Sequence, residues 1–117
     1  MISIVGIGNA ASSIVENFKT QKNNYKVYQL GSNQKNTKYT KKLKHFKNPE
    51  DYEENIPDLS KFFGDINENI QVFVVGSSYS SNYTLGILQQ LQSKKLEVFY
   101  IRPDVELLTG IPNYLRI

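Results

Sequence analysis

The stretch that decides the fold is Ile2–Gly8, ISIVGIG, together with the segment that follows it, NAASSIVENFKTQ over Asn9–Gln21. A short apolar run that ends in glycines is typical of a buried parallel strand. After it, apolar residues recur at helical spacing and predict a helix with Asn9 as its N-cap. These apolar positions are Ala10, Ala11, Ile14, Val15 and Phe18. The chain therefore opens with a strand, a tight turn and a helix.

The same pattern continues along the chain. Further strands are predicted at 25–30, 70–75 and 96–101, and helices at 49–55, 58–63 and 82–94. Residues 34–48 are interpreted as a solvated basic loop, and the apolar tail 104–117 as a cover for the sheet or for a partner. Alternating strands and helices imply right-handed crossovers. We expect one α/β domain over 1–117, Rossmann-like and three-layered, with a mostly parallel four-stranded sheet.

The composition excludes several classes of protein. With no cysteine and one histidine in 117 residues, we expect no disulfide, no thiolate zinc site, no cysteine nucleophile and no metal site. No apolar run is long enough for a membrane span, and no secretory signal is present, so a cytoplasmic protein is expected. The abundance of Lys, Asn and Ile suggests an A/T-rich genome, as in some phages, which would place the protein in a host cytoplasm.

The positive charge does not predict nucleic-acid binding. The net charge is +3, but it comes from 12 Lys and only 2 Arg, and bidentate base contacts require Arg. Lysines cluster over 35–47, and an acidic segment follows directly and would offset their field. We therefore interpret the basic segment as solvated and expect no nucleic-acid partner.

Two glycine-containing loops are candidates for an anion site. Gly6–Ala11 satisfies G-x-G-x-x-A between a strand and a helix, the context of the dinucleotide fingerprint. The acidic residue expected after the second strand is missing, since that strand ends Leu30-Gly31-Ser32-Asn33. Gly76–Ser81 offers hydroxyls and amides before another predicted helix. Each loop has a ligand-free alternative, as a tight turn or as a helix cap.

Both loops are expected at the carboxyl ends of the strands, where open α/β sheets bind ligands. The predicted binding residues are Gly6, Gly8, Asn9, Ala10, Ala11, Ser12, Ser13, Gly76, Ser77, Ser78, Ser80, Ser81 and Thr84. No catalytic residue is predicted. His45 lies in the basic segment and is interpreted as a solvated side chain rather than a general base, and the serines have no evident His–Asp pair.

Two segments resemble the tubulin/FtsZ GTPases. Ile4–Phe18, IVGIGNAASSIVENF, resembles their first nucleotide loop, and 72–110 resembles their glycine-rich phosphate loop with the next helix and strand. Within 72–110 these are VFVVGSSYSSNYTLGILQQL and LEVFYIRPDVELLTG. The resemblance covers about half of the chain. It implies a module that binds GTP or GDP, with Mg²⁺ only beside a triphosphate, and that assembles with itself or with other protein subunits.

The chain also departs from that family. Asn9, Ala10 and Ala11 stand where the family has glycines, and Tyr79 and Tyr83 interrupt the second glycine series. The family's second domain, which supplies the hydrolytic carboxylates, has no counterpart here. The resemblance therefore implies either a piece of a longer protein or a shortened, divergent relative, and we expect no GTP hydrolysis by this chain alone. A structural or assembly protein with a lost site stays open, as does a dinucleotide or sugar-phosphate binder.

Overall fold

The structure is a computed structural model that describes residues 2–20, 25–66, 69–76, 83–91, 95–102 and 113–116. The strands are β1 (Ile2–Ile7), β2 (Tyr25–Gly31), β3 (Thr40–Lys42), β4 (Asn69–Val75), β5 (Lys95–Arg102) and β6 (Asn113–Arg116). The helices are α1 (Asn9–Val15), α2 (Pro49–Glu54) and α3 (Thr84–Gln89), and a 3₁₀ helix over Glu16–Thr20 continues α1.

All six of these strands form one sheet in the order β3-β2-β1-β4-β5-β6. β1 to β5 are parallel, and β6 is antiparallel to β5. The predicted α/β fold with a mostly parallel sheet is confirmed, and the prediction of four strands is wrong. The two additional strands, β3 and β6, lie at the two edges of the sheet. β3 falls in the segment 34–48, which the sequence predicts as a solvated loop, and β6 falls in the apolar tail 104–117, which it predicts as a cover for the sheet or for a partner.

The helices lie on both faces of the sheet. On one face, Ile4 and Val27 pack with Val15 of α1, and Ala11 packs with Val75 and Ile101. The larger core lies on the other face, where α2, the turns over 58–66 and α3 cover the sheet. Its largest fully buried side chains are Tyr28, Tyr52 and Tyr83. Because side chains alternate along a strand, neighbours such as Ile4 and Val5 serve different cores.

β3 was missed because lysines obscure its pattern. Tyr39 and Leu43 flank the strand and pack into the larger core. Lys41 and Lys42, which lie within the strand, are half-buried and exposed, respectively. The side chain of Thr37 fixes the preceding bend, since its hydroxyl lies 2.6 Å from that of Thr40 and accepts from the Thr40 N–H at 3.1 Å. The chain then pairs with Gln29–Gly31 of β2.

The helix predicted at 58–63 is not formed. The Asp58 carboxylate accepts a hydrogen bond from the Ser60 N–H at 3.0 Å, and the Phe63 N–H donates to the Leu59 carbonyl at 2.9 Å, so a single turn forms here and does not continue into a helix. Gln90 also holds this segment, accepting from the Leu59 N–H at 2.7 Å and donating to the Pro57 carbonyl at 2.8 Å. The result is a series of turns that still buries Leu59 and Phe63.

The other predicted helices are present, but two of them differ from the prediction in length or geometry. α2 begins after Asn48 with Pro49 in its first turn, as predicted. The first helix changes to 3₁₀ geometry at Glu16, and α3 covers only Thr84–Gln89 of the predicted 82–94. Residues 82 and 92–94 lie outside the described part of the chain.

Candidate functional site

The turn from β1 into α1 depends on Gly8. Its φ of 99° lies in the region that favours glycine, and its N–H donates to the Leu30 carbonyl at 2.7 Å. Gly8 is also the N-cap of α1, and its carbonyl accepts from the Ser12 N–H at 2.8 Å. The prediction of Asn9 as N-cap is therefore wrong. Asn9 is the first helical residue, and its side chain is used elsewhere.

Gly6 and Ala11 of the G-x-G-x-x-A pattern bring α1 close to the sheet. A Cβ on Gly6 would lie 2.8 Å from Val15 Cγ2 and 2.9 Å from the Ala11 carbonyl oxygen, closer than real Cβ atoms approach. Ala11 is fully buried. Two of the three pattern residues thus have a packing role that does not depend on a ligand.

Asn9 ties α1 to the loop after β2. Its Nδ2 donates to the Ser32 hydroxyl at 2.8 Å, and its Oδ1 accepts from the Asn33 N–H at 3.0 Å. The side chain crosses directly over Gly31, where a Cβ would overlap Oδ1. Ser32 and Asn33, which follow the strand where dinucleotide-binding proteins carry an acid, therefore hold the start of α1.

Ser12 and Gln29 form a buried polar junction beneath this turn. The Ser12 hydroxyl is inaccessible to solvent and lies 3.0 Å from the Leu30 carbonyl and 3.4 Å from that of Gly6. The Gln29 amide donates to the Ser12 carbonyl at 2.8 Å and to the Glu16 carboxylate at 2.5 Å. The Ser12 hydroxyl therefore holds the turn from its buried side and is not open to solvent.

The Glu16 carboxylate lies at the solvent-exposed end of this junction. The hydrogen bond from Gln29, followed by that from Lys19, holds the pKa of the Glu16 carboxyl below its ordinary value. Lys19 Nζ lies 3.2 Å from the same carboxylate. Sequence reasoning did not select Gln29, because a glutamine inside a predicted buried strand carries no motif. The available signal was its position between Tyr28 and Leu30 in a predicted strand.

Three further residues of the predicted binding set differ in their exposure to solvent. Ala10 and Ser13 are exposed on α1. Within the described residues, the first-turn N–H groups of Asn9, Ala10 and Ala11 meet no backbone acceptor outside their helix. Thr84 Oγ1, at the start of α3, is buried and has no hydrogen-bond partner in the described part of the chain.

The second predicted loop is described only at its first residue. The Gly76 N–H donates to the Ile101 carbonyl at 2.9 Å, and a Cβ on Gly76 would overlap the Tyr100 hydroxyl. Ser77, Ser78, Ser80 and Ser81 lie outside the described residues. The structure therefore places the beginning of this loop, at the end of β4 and next to β1 in the sheet.

No acid–base machinery comes together among the described residues. His45 is exposed, with Nδ1 3.4 Å from the Tyr52 hydroxyl, and that hydroxyl also bonds the backbone of Phe46. No group of three or more His, Asp or Glu in the described ranges is placed to hold a metal ion. None of the helices described is long and apolar enough to cross a membrane.

Comparison of the chain with known protein families, with curated proteins and with solved structures finds no match. Its function must therefore be argued from the site itself.

Proposed function

We propose that this chain is a Rossmann-like nucleotide-binding module whose ligand, GTP or GDP, binds in the crevice between the carboxyl ends of β1 and β4. One observation carries the proposal. The strand order reverses between β1 and β4, and the two glycine loops singled out from the sequence begin at the ends of these two strands. In doubly wound sheets, such a reversal opens the crevice in which ligands bind.

The chemistry around the crevice suits a phosphate. The N–H groups of Asn9, Ala10 and Ala11 are donors without a backbone acceptor outside α1 in the described structure, and Gly8 lets the chain approach a ligand closely. Leaving a buried hydroxyl unpaired costs about 1–3 kcal/mol, so the Thr84 Oγ1 would gain from a phosphate oxygen. Mg²⁺ enters the proposal only as the counter-ion of a triphosphate.

Guanine is proposed because both loops, in this order, resemble those of the tubulin/FtsZ GTPases. That resemblance also suggests a role in self-assembly with copies of itself or with other subunits. The loop after β2 argues against a dinucleotide, because Ser32 and Asn33 stand in place of a ribose-binding acid and are already bonded to Asn9.

The test is to denature the purified protein and identify released nucleotides by anion-exchange chromatography, beside a melting-temperature screen with GTP, GDP, ATP, NAD and sugar phosphates. A ligand present at tenfold its Kd adds about 1.4 kcal/mol, which corresponds to a rise of roughly 5 °C in a domain of this size. A guanine-specific shift supports the proposal, and a larger shift with NAD contradicts it.

The Thr84→Val variant localises the ligand. It removes the unpaired hydroxyl and keeps the shape, so the ligand-free melting temperature should stay the same or rise, while the GTP-induced shift should shrink. Thr20→Val is the matched control, since Thr20 is exposed on the 3₁₀ helix and bonds only the Asn17 carbonyl. An equal GTP shift in both variants would exclude Thr84 from the site.

A second candidate is a structural assembly protein whose crevice is unused. The observation that favours it is that Asn9 and Ser12 satisfy their side chains within the chain, so the first loop keeps its shape without a ligand. No co-purified nucleotide, no thermal shift and a defined oligomer by light scattering would support this candidate over the first.

A further inference from the structure

A second cavity lies at the β3 edge of the sheet, on the face opposite α1. Its volume is about 300 Å³, and Tyr28, Tyr39 and Phe62 line it. The Tyr28 ring stands edge-to-face with both neighbours, at centroid distances of 5.3 Å from Tyr39 and 5.5 Å from Phe62. Tyr28 is buried while the other two rings are half-buried, so the cavity has an apolar, aromatic wall.

Three lysines reach this cavity from three different parts of the chain. Lys38 comes from the bend before β3, Lys41 from β3 and Lys61 from the turns that replace the predicted helix. Asp65 is the one acidic residue in the lining, which leaves a formal charge of three minus one, or +2. Such convergence is not visible in the sequence, where Lys61 lies far from the basic segment.

In the described part of the chain these three lysines form no ion pair within 4.0 Å, and the nearby Asp58 carboxyl interacts with Lys61 only through its charge. The ion pair in the described residues is Lys19–Glu16, on the other face of the sheet, and none involves the cavity lysines. Lys38 Nζ instead lies 5.5 Å from the centre of the Tyr39 ring. The sequence predicts that the acidic segment offsets the field of the basic segment. In the described structure, however, its carboxylates form no ion pair with the three cavity lysines.

From this arrangement we infer that the cavity binds a small aromatic phosphate, with the ring against Tyr39 and Phe62 and the phosphate among Lys38, Lys41 and Lys61. The volume is at the lower end of the range for small-molecule sites, about 300–1,000 Å³, which suits a single aromatic ring with one phosphate. This site is distinct from the proposed nucleotide crevice, because Tyr28 and Phe62 belong to the core opposite α1.

The experiment is an amide NMR titration of the full chain with phenyl phosphate, inorganic phosphate and phenol. The proposal expects phenyl phosphate to shift the amides of residues 36–41 and 61–65, with at least tenfold higher affinity than either fragment. Shifts confined to residues 6–13 would place the ligand in the other crevice and overturn the inference. Equal affinity for phenyl phosphate and inorganic phosphate would also overturn it, because the rings would then contribute nothing.

Variants that remove one lysine charge provide a second test of the site. Lys61→Gln should weaken phenyl phosphate binding by about three- to fivefold, the scale of an exposed ion pair. Lys47→Gln removes the same charge from an exposed position outside the cavity and should leave the affinity unchanged. Equal effects of the two variants would show a diffuse surface field and refute a built site.

The same ligand chemistry occurs in a free mononucleotide and in a strand of nucleic acid. Equal affinities for thymidine 5′-phosphate and for a six-residue oligothymidylate would support a pocket for one unit. An affinity that rises with strand length, with shifts spreading to Lys44 and Lys47, would overturn the small-ligand site in favour of a strand-binding surface.

Discussion

Replacing Gly31 by alanine tests whether the Asn9 side chain holds the loop after β2 against α1. Gly31 has no positive φ, so alanine fits its backbone, and the loss of chain entropy in the unfolded state would by itself stabilise the fold by about 0.4–1 kcal/mol. The new Cβ would, however, overlap Asn9 Oδ1 and lie 3.1 Å from the Asn9 nitrogen. The Asn9 side chain must therefore move away and give up its bonds to Ser32 and Asn33.

The size of the effect follows from those two hydrogen bonds. At about 0.5–1.5 kcal/mol each, their loss costs roughly 1–3 kcal/mol, and the entropy gain offsets part of this. In an Asn9→Ala background the bonds are already absent, so Gly31→Ala should cost less than in the wild type, and what remains is the close approach of its Cβ to the backbone nitrogen of residue 9 at 3.1 Å. The expected coupling energy between the two changes is that of the two hydrogen bonds, about 1–3 kcal/mol, because the entropy gain is the same in both backgrounds and cancels.

Urea denaturation followed by far-UV circular dichroism of the wild type, both single variants and the double variant measures this coupling. Changes at independent sites add to within about 0.3–0.5 kcal/mol. Additivity within that margin would mean that Asn9 does not lie over Gly31 in solution, and the account of the α1 start would fail.

Three further predictions rest on single contacts. Burial, with a smaller contribution from Tyr52, raises the pKa of Tyr83 to about 12 from 10.0, so the unfolded chain ionises first and stability falls as the pH rises from 10 to 12. Urea unfolding of Tyr83→Phe at pH 8 and pH 11 should show a smaller alkaline loss than the wild type, and a loss of about 1 kcal/mol at pH 8 from the missing hydroxyl bond. In Gln29→Ala, an NMR pH titration should show the pKa of Glu16 rising toward its ordinary value; an unchanged pKa would show that Gln29 does not hold the carboxylate. Gly6→Ala should lower the urea midpoint by the equivalent of about 1–3 kcal/mol, because its Cβ meets the backbone of α1. A neutral effect would mean that α1 packs farther from β1.

The central strands were predictable, since β1, β2, β4 and β5 each match their predicted range to within one residue at either end. β1 and β4 are nearly continuous apolar runs, as expected for strands covered on both faces. β2 and β5 carry polar residues as well, and their aromatic and β-branched residues mark them as strands. The edges followed other rules. β3 needs only three residues and the bend at Thr37, and β6 lies in a tail without clear alternation.

The candidate site was predictable at its glycines and not at its polar partners. Gly6 and Gly8 are required by a close approach and by a positive φ, and both constraints act between neighbours in sequence. Ser32 and Gln29 meet α1 only through the parallel pairing of β1 with β2, so their contacts depend on the fold. The Tyr83 hydroxyl likewise depends on the fold, since it donates to the Lys44 carbonyl, 39 residues away, at 2.6 Å.

The central position of β1 has a consequence for synthesis of the chain. Ser3 pairs with Ile70, 67 residues later, so β1 waits longer for this neighbour than for β2. At about 5–20 residues per second, a ribosome needs roughly 3–13 s to supply that partner. Until then β1 can pair with β2 on one edge only, and its other edge is available for pairing with a neighbouring nascent chain. Packing of α1 across Gly6 covers one face of β1 in the finished fold and does not cover this edge, so we expect aggregation during synthesis to begin there.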